Sequence, residues 1–314
     1  MLNRWRCRWR VARLPTIAAR RWEKGIWLMA RREVEQGVLG GGMAYLKLGS
    51  GEPVLVAAGL SPDHHLPRGL GLWAQVRQLR PLARQRTVWW VNRRHGLDPY
   101  ASMADIADDY ARVLSANFDG PVDVVGISTG GSVALQLTID HPELVRRLVL
   151  VASGSRLGTW GRRAQQELAV EIRANHPRAA AARASGMAGA TYSSRAALGA
   201  GGWLLAPTHF ALRSPQDILA TLQAEDRFDV SDRLGEIGIP VLVVGGGRDP
   251  IYENGRVFIQ TAARIAGARL ILYPEKGHLG VLGGRVIGRD ALAFLDERMP
   301  GPPPRPDKFA IPPG

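Results

Sequence analysis

The chain has 314 residues, 46% of them hydrophobic and 22% charged, which excludes a largely disordered polymer and leaves room for a sizeable core. It has no apolar run long enough to span a bilayer, and its single cysteine, Cys7, excludes an intramolecular disulfide, so the expected compartment is the cytoplasm. The net charge of +13 is uneven: residues 1–35 hold ten Arg or Lys against three Glu, and only four of the 41 basic residues are Lys. An arginine bias spread over the whole chain reads as coding bias, and nucleic acid is not an expected partner.

Residues 1–36 read as a basic extension, disordered or helical. Trp5, Trp9, Trp22 and Trp27 are interleaved with Arg, and Ala18, Trp22, Ile26 and Met29 fall at helical spacing. A membrane surface is the sharper partner for such a helix. A start called too far upstream is the plainer explanation, with Met29 or Met43 as the alternative start. No apolar stretch follows the charges as in a secretory signal.

Strands are predicted at 43–48, 53–57 and 87–91, the last β-branched and aromatic. Residues 102–118 predict a helix capped by Ser102, with Met103, Ile106, Ala107, Tyr110, Val113 and Leu114 on one face. A strand at 122–125 leads through a glycine turn into a helix at 132–140. Further strands are predicted at 147–151, 241–244 and 269–273. Continuous apolar runs of this kind belong to strands covered on both faces, so the expected class is α/β with a mostly parallel sheet. Residues 154–225 break the rhythm, being rich in Ala and Arg with no strand pattern, and read as a helical insertion over the sheet. The core is then 37–153 and 226–299. Seven of the last fifteen residues are Pro, which makes 300–314 an extended tail.

Gly126-Ile127-Ser128-Thr129-Gly130 lies between a strand and a helix. G-x-S-x-G in that setting is a nucleophile elbow: the serine occupies a strained turn, and the small residues let neighbouring backbone approach. A serine hydroxyl needs a base. Of seven histidines, His278 follows the last predicted strand, in PEKGH. Asp249 follows the strand of PVLVVGGGRD. Both sit where open α/β sheets keep their chemistry, and the order Ser128, Asp249, His278 suits the architecture.

With these segments and the VNRRHG turn, the sequence resembles the α/β-hydrolase superfamily from about Gly37 to Met299. The resemblance implies an eight-stranded, mostly parallel sheet with helices on both faces and residues 154–225 as a helical lid. It also implies Ser128 as nucleophile, His278 as acid and base, and Asp249 as orienter. The usual His-Gly after the third strand is Ala58-Gly59-Leu60 here, and a common Asp after the fourth is Asn92. The oxyanion donors are assigned to the N–H groups of Leu60 and Thr129. LVASGSR carries no alternative acid, and Asp226, Asp229 and Asp232 precede their strand and read as surface or capping residues.

The expected activity is cleavage of an ester or related acyl bond of a small, partly apolar molecule through an acyl-enzyme on Ser128. Acyl transfer, C–C bond hydrolysis and perhydrolysis use the same three residues, and a non-catalytic binding protein is the reading from another class. His64, His65, Trp73, Trp160 and Trp203 are the candidate substrate contacts. Met187, Tyr192, Leu204, Leu205 and Phe210 are further candidate walls of the pocket. The tandem His64 and His65 beside Asp63 suggest a metal, but adjacent side chains diverge and no third ligand is apparent, so no metal is assigned; glycine segments such as 37–42 lack dinucleotide spacing, so no cofactor is expected.

Overall fold

The computed structural model describes residues 34–210, 212–283 and 286–297. The readings of the basic head before Val34 and of the Pro-rich tail lie outside these residues.

Eight strands form one sheet: β1 (Val34–Leu39), β2 (Met43–Leu48), β3 (Pro53–Ala57), β4 (Thr87–Val91), β5 (Val122–Ile127), β6 (Val145–Val151), β7 (Val241–Gly246) and β8 (Arg269–Tyr273). Their order is β1-β2-β4-β3-β5-β6-β7-β8. β2 runs antiparallel to both β1 and β4, and every other pairing is parallel. The strand pattern missed β1. Its Glu35, Gln36 and Gly37 interrupt the apolar pattern, and the exposed edge strand is held by its pairing with β2. Val34–Gln36 therefore belong to the sheet rather than to the extension.

Alternation along the strands feeds two cores. On β7, Val241 and Val243 face one layer while Leu242 and Val244 face the other. The first layer contains α2 (Met103–Asn117), α3 (Thr129–Asp140) and α8 (Arg256–Arg264). The second contains α1 (Gly69–Ala83) and the C-terminal turn from Ile287–Ala291 into α10 (Leu292–Leu295). Ser102 caps α2 as expected. Its Oγ accepts from the Asp105 N–H at 3.2 Å, and the Asp105 carboxylate accepts from the Ser102 N–H at 2.7 Å.

Between β6 and β7 the described residues form four α-helices, α4 (Thr159–Arg173), α5 (Pro177–Gly186), α6 (Tyr192–His209) and α7 (Pro215–Asp226). They enclose a small core of their own around Leu168, Ile172, Ala180, Phe210, Ile218 and Leu222. Among the described residues no helix is long and apolar enough to cross a membrane.

The connections leaving β3 pass to β4 on one side and return to β5 on the other, since β3 lies between them. The carboxyl ends of β3 and β5 thus meet at a topological switch point, where open α/β sheets form their crevice. Leu60 and Ser128 stand at these two ends.

Candidate active site

Ser128 is held in a conformation that few residues adopt, with φ 51° and ψ −123°. Its N–H donates to Val151 O at 2.9 Å, which ties the turn to β6. The glycines permit the approach. A Cβ on Gly130 would stand 2.2 Å from Ala57 O, and one on Gly126 would stand 2.4 Å from Gly131 Cα. α3 then begins at Thr129, whose N–H has no acceptor within the helix.

Ser128 Oγ lies 3.0 Å from His278 Nε2, and His278 Nδ1 lies 2.7 Å from Asp249 Oδ2. The other carboxylate oxygen, Asp249 Oδ1, accepts from the Ile251 N–H at 3.0 Å. An ionised carboxylate only accepts, so the proton between Asp249 and the imidazole belongs to Nδ1, and Nε2 is free to accept from the serine hydroxyl. His278 heads the short α9 (His278–Val281) just beyond β8. The ring of Tyr252 lies parallel to the imidazole at 6.1 Å, and burial keeps its phenol protonated well above the usual range.

A cavity of about 300 Å³ opens over Ser128 and His278. Its apolar wall includes Leu157, Met187, Phe210, Ile218, Ile251 and Leu282. A second cavity of about 450 Å³ adjoins it, sharing Leu60, Ser61 and Trp90.

Residues 49–285 match the alpha/beta hydrolase family. The chain belongs to that family. It is 33% identical over 201 residues to a pimeloyl-acyl-carrier-protein methyl ester esterase of Neisseria meningitidis, a match covering 59% of this chain and 72% of that protein. To the enzyme of the same name from Chromobacterium violaceum it is 32% identical over 232 residues, 70% of this chain and 88% of the other. Among solved structures it shares the fold of the enol-lactonase from Burkholderia xenovorans LB400, with TM-score 0.68, 18% identity and coverage of 84% and 100%. A hydrolase from Pseudomonas aeruginosa PA01 gives TM-score 0.65, 21% identity and coverage of 84% and 98%. This α/β-hydrolase is a serine hydrolase of the carboxylic ester class.

The expected site residues divide into two groups. Ser128, His278, Leu60 and Thr129 gather at the cavity, joined there by Met187 and Phe210 of the insertion, and Asp249 lies buried behind His278. His65 lines only the adjoining cavity, its ring 4.5 Å from that of His95. His64, Trp73, Trp160 and Trp203, expected as substrate contacts, line neither of these two cavities. Each has another partner. Trp73 lies under Arg77 at 5.1 Å, Trp160 under Arg195 at 4.3 Å and Trp203 under Arg178 at 4.7 Å, all in cation–π range. His64 is buried, with Nδ1 2.8 Å from Arg94 O and Nε2 accepting from Arg93 Nε at 3.2 Å. Burial and the Arg93 charge lower its pKa to about 2, so it stays neutral.

Asn92, standing where an Asp is common, fastens the loop after β3. It donates to Ser61 Oγ at 3.2 Å and to Asp63 O at 3.3 Å. Glu225 was missed. It is fully buried at the cavity wall, accepting from Thr129 Oγ1 at 2.9 Å, Ser132 Oγ at 3.0 Å and Gln165 Nε2 at 2.8 Å. Burial raises its pKa, and these donors work against the rise. A signal existed: Ile218, Leu222 and Glu225 fall at i, i+4 and i+7, which puts the acid on the buried stripe of α7.

Proposed function

We propose that this enzyme hydrolyses neutral esters with an apolar acyl part, with Ser128 as nucleophile, His278 as general base and acid, and Asp249 as the group that orients the imidazole. The carrying observation is the unbroken chain from Ser128 Oγ to His278 at 3.0 Å and from His278 to Asp249 at 2.7 Å. Ser128 Oγ attacks the ester carbonyl carbon as His278 Nε2 takes its proton. The carbonyl oxygen becomes an oxyanion, received by the N–H groups of Leu60 and Thr129. Each such donor contributes about 2.7–4 kcal/mol to lowering the barrier. The C–O bond then breaks, and the alcohol leaves with the proton from His278. Water, deprotonated by His278, attacks the acyl-enzyme, and the acid departs as Ser128 recovers its proton.

The cavity supports the substrate class. Its walls are mainly apolar, and Glu225 is the one carboxylate among the residues that line it. We assign residues 154–225 the role of lid, since they supply Met187 and Phe210, each just past a helix end, and Ile218 of α7 to the cavity wall. We also place the enzyme in the cytoplasm, consistent with its one cysteine.

The test is labelling with a fluorophosphonate probe together with turnover of short p-nitrophenyl esters. Ser128→Ala should abolish both. Undiminished labelling of that variant would refute the assignment, and tight ligand binding without turnover by the wild type would favour a binding protein instead.

A second reading extends the substrate. The similar esterases are named for carrier-protein esters, and α4–α6 hold six arginines against two glutamates, with Arg163, Arg173, Arg178 and Arg183 exposed. That surface suits an acyl group delivered on an anionic carrier. Rising salt should then lower kcat/KM for a carrier-bound methyl ester and leave a small free ester unaffected. Equal salt dependence for both would count against the carrier.

A further inference from the structure

The two N–H groups assigned to the oxyanion hole come from different strand ends, and each end is fastened by a different, fully buried, ionisable side chain. Arg93, directly after Asn92, is one of them. Its Nη1 donates to Ala58 O at 2.9 Å, and its Nη2 donates to Gly59 O at 3.0 Å and to Ser61 Oγ at 3.2 Å. The guanidinium fork therefore holds two consecutive carbonyls of the loop after β3. The described peptide bonds are all trans. In a trans peptide the N–H points opposite to the C=O of the same plane. With Gly59 O turned toward Arg93, the N–H of Leu60 is turned away from it.

Glu225 is the second. It reaches from α7 to both hydroxyls of the first turn of α3, Thr129 Oγ1 and Ser132 Oγ, and it also accepts from Gln165 of α4. Thr129 supplies the other proposed donor. A carboxylate that merely filled this space would be a costly choice, because hydrophobic groups of similar volume pack there without the loss of hydration. The same holds for Arg93. Each charge acts on the other, that of Arg93 favouring ionised Glu225 and that of Glu225 favouring protonated Arg93.

We propose that Arg93 and Glu225 are paired positioning residues that set the two halves of the oxyanion hole, Arg93 through the carbonyls of Ala58 and Gly59, Glu225 through the hydroxyls of Thr129 and Ser132. The inference rests on the assignment of Ser128 as nucleophile and of Leu60 and Thr129 as donors. It goes beyond that assignment in naming the groups that hold the donors in place. Since a preset oxyanion hole acts on the transition state, losing either residue should lower kcat and leave KM nearly unchanged.

The experiment uses the full chain carrying Arg93→Met, Arg93→Lys, Glu225→Leu, Glu225→Gln and Thr129→Val. Thr129→Val keeps the backbone donor and removes only its tether. Kinetics with p-nitrophenyl butyrate are paired with the affinity of a trifluoromethyl ketone, whose adduct with the serine carries the oxyanion. Arg93→Met and Glu225→Leu should each lower kcat by roughly 10²-fold, with KM within about threefold and ketone affinity falling in parallel. Glu225→Gln, which still offers one acceptor oxygen, should retain more activity than Glu225→Leu. Arg93→Lys should fall between wild type and Arg93→Met. If Arg93→Met or Glu225→Leu fails to fold, Arg93→Lys and Thr129→Val carry the test, both with reduced kcat and weakened ketone binding. A change confined to KM or thermal stability, with kcat and ketone affinity at wild-type values, overturns the proposal. Ser128→Ala separates the two levels. If it is inactive while the other variants keep full kcat, only this inference falls; if it retains full turnover, the underlying assignment falls as well.

Discussion

Asp249 Oδ2 and His278 Nδ1 face each other at 2.7 Å, with both side chains almost wholly withdrawn from solvent. That pairing decides which imidazole nitrogen faces Ser128 with a lone pair. Asp249→Asn can present an N–H to Nδ1, which moves the imidazole proton to Nε2 and leaves the serine without a base. The variant should fold normally and lose kcat by on the order of 10⁴-fold. Steady-state kinetics alongside a circular-dichroism melt check this, and a loss below about tenfold would show that the carboxylate does not control the tautomer.

The backbone of Ser128, at φ 51°, should leave a mark on stability. A non-glycine residue in so sparsely populated a conformation costs about 1–3 kcal/mol. Both Ser128→Gly and Ser128→Ala remove the hydroxyl, but only glycine relieves the strain. Ser128→Gly should therefore be more stable than Ser128→Ala by about 1 kcal/mol in urea denaturation. Equal midpoints for the two would mean that the elbow holds no strain.

Gly130 offers a steric test. Its Cβ position lies 2.2 Å from the carbonyl oxygen of Ala57, which is backbone and has nowhere to go. Gly130→Ala should push α3 away from β3, costing about 1–3 kcal/mol and displacing Thr129 from its place beside the cavity. Esterase activity should drop sharply even at temperatures where the fold persists. A variant with wild-type kcat would contradict the close packing of the turn.

His64 makes stability depend on pH. The unfolded chain protonates this histidine below about pH 6.5, whereas the folded chain keeps it neutral down to about 2. Between these values the unfolded state binds more protons, so stability falls as pH falls, by at most about 1.4 kcal/mol per pH unit from this one group. Glu225 acts with the opposite sign. Its raised pKa makes the folded state hold a proton above pH 4.5, in the window where the unfolded state releases it, and this offsets part of the slope. His64→Gln keeps both hydrogen-bonding functions and removes the titration. Urea midpoints at pH 8 and pH 5 should converge in that variant relative to wild type, and an unchanged difference would assign the acid sensitivity elsewhere.

The sheet and the three central residues were legible because their signals are local. Continuous apolar runs mark strands covered on both sides, and G-x-S-x-G between Ile127's strand and Val133's helix has few other uses. β1 escaped because an edge strand with one pairing partner needs little apolar pattern of its own. The substrate contacts were harder for a different reason. Trp73, Trp160 and Trp203 have the size and apolarity of pocket walls, yet an arginine is stacked on each ring and none lines either cavity. Nothing in residue spacing distinguishes those outcomes. Arg93 and Glu225 were unreadable as partners of the loop and the elbow, because their hydrogen bonds join residues 34 and 96 positions apart.

The carboxylate that receives the hydroxyls of Thr129 and Ser132 is supplied by the insertion, and this limits how such enzymes can be recombined. A chimera that exchanged the four helices for those of a distant cousin would strand two hydroxyls beneath the graft unless the donor brought a matching acid. New substrate preferences are therefore more accessible by altering side chains such as Met187 and Phe210 than by wholesale transplantation of the covering segment.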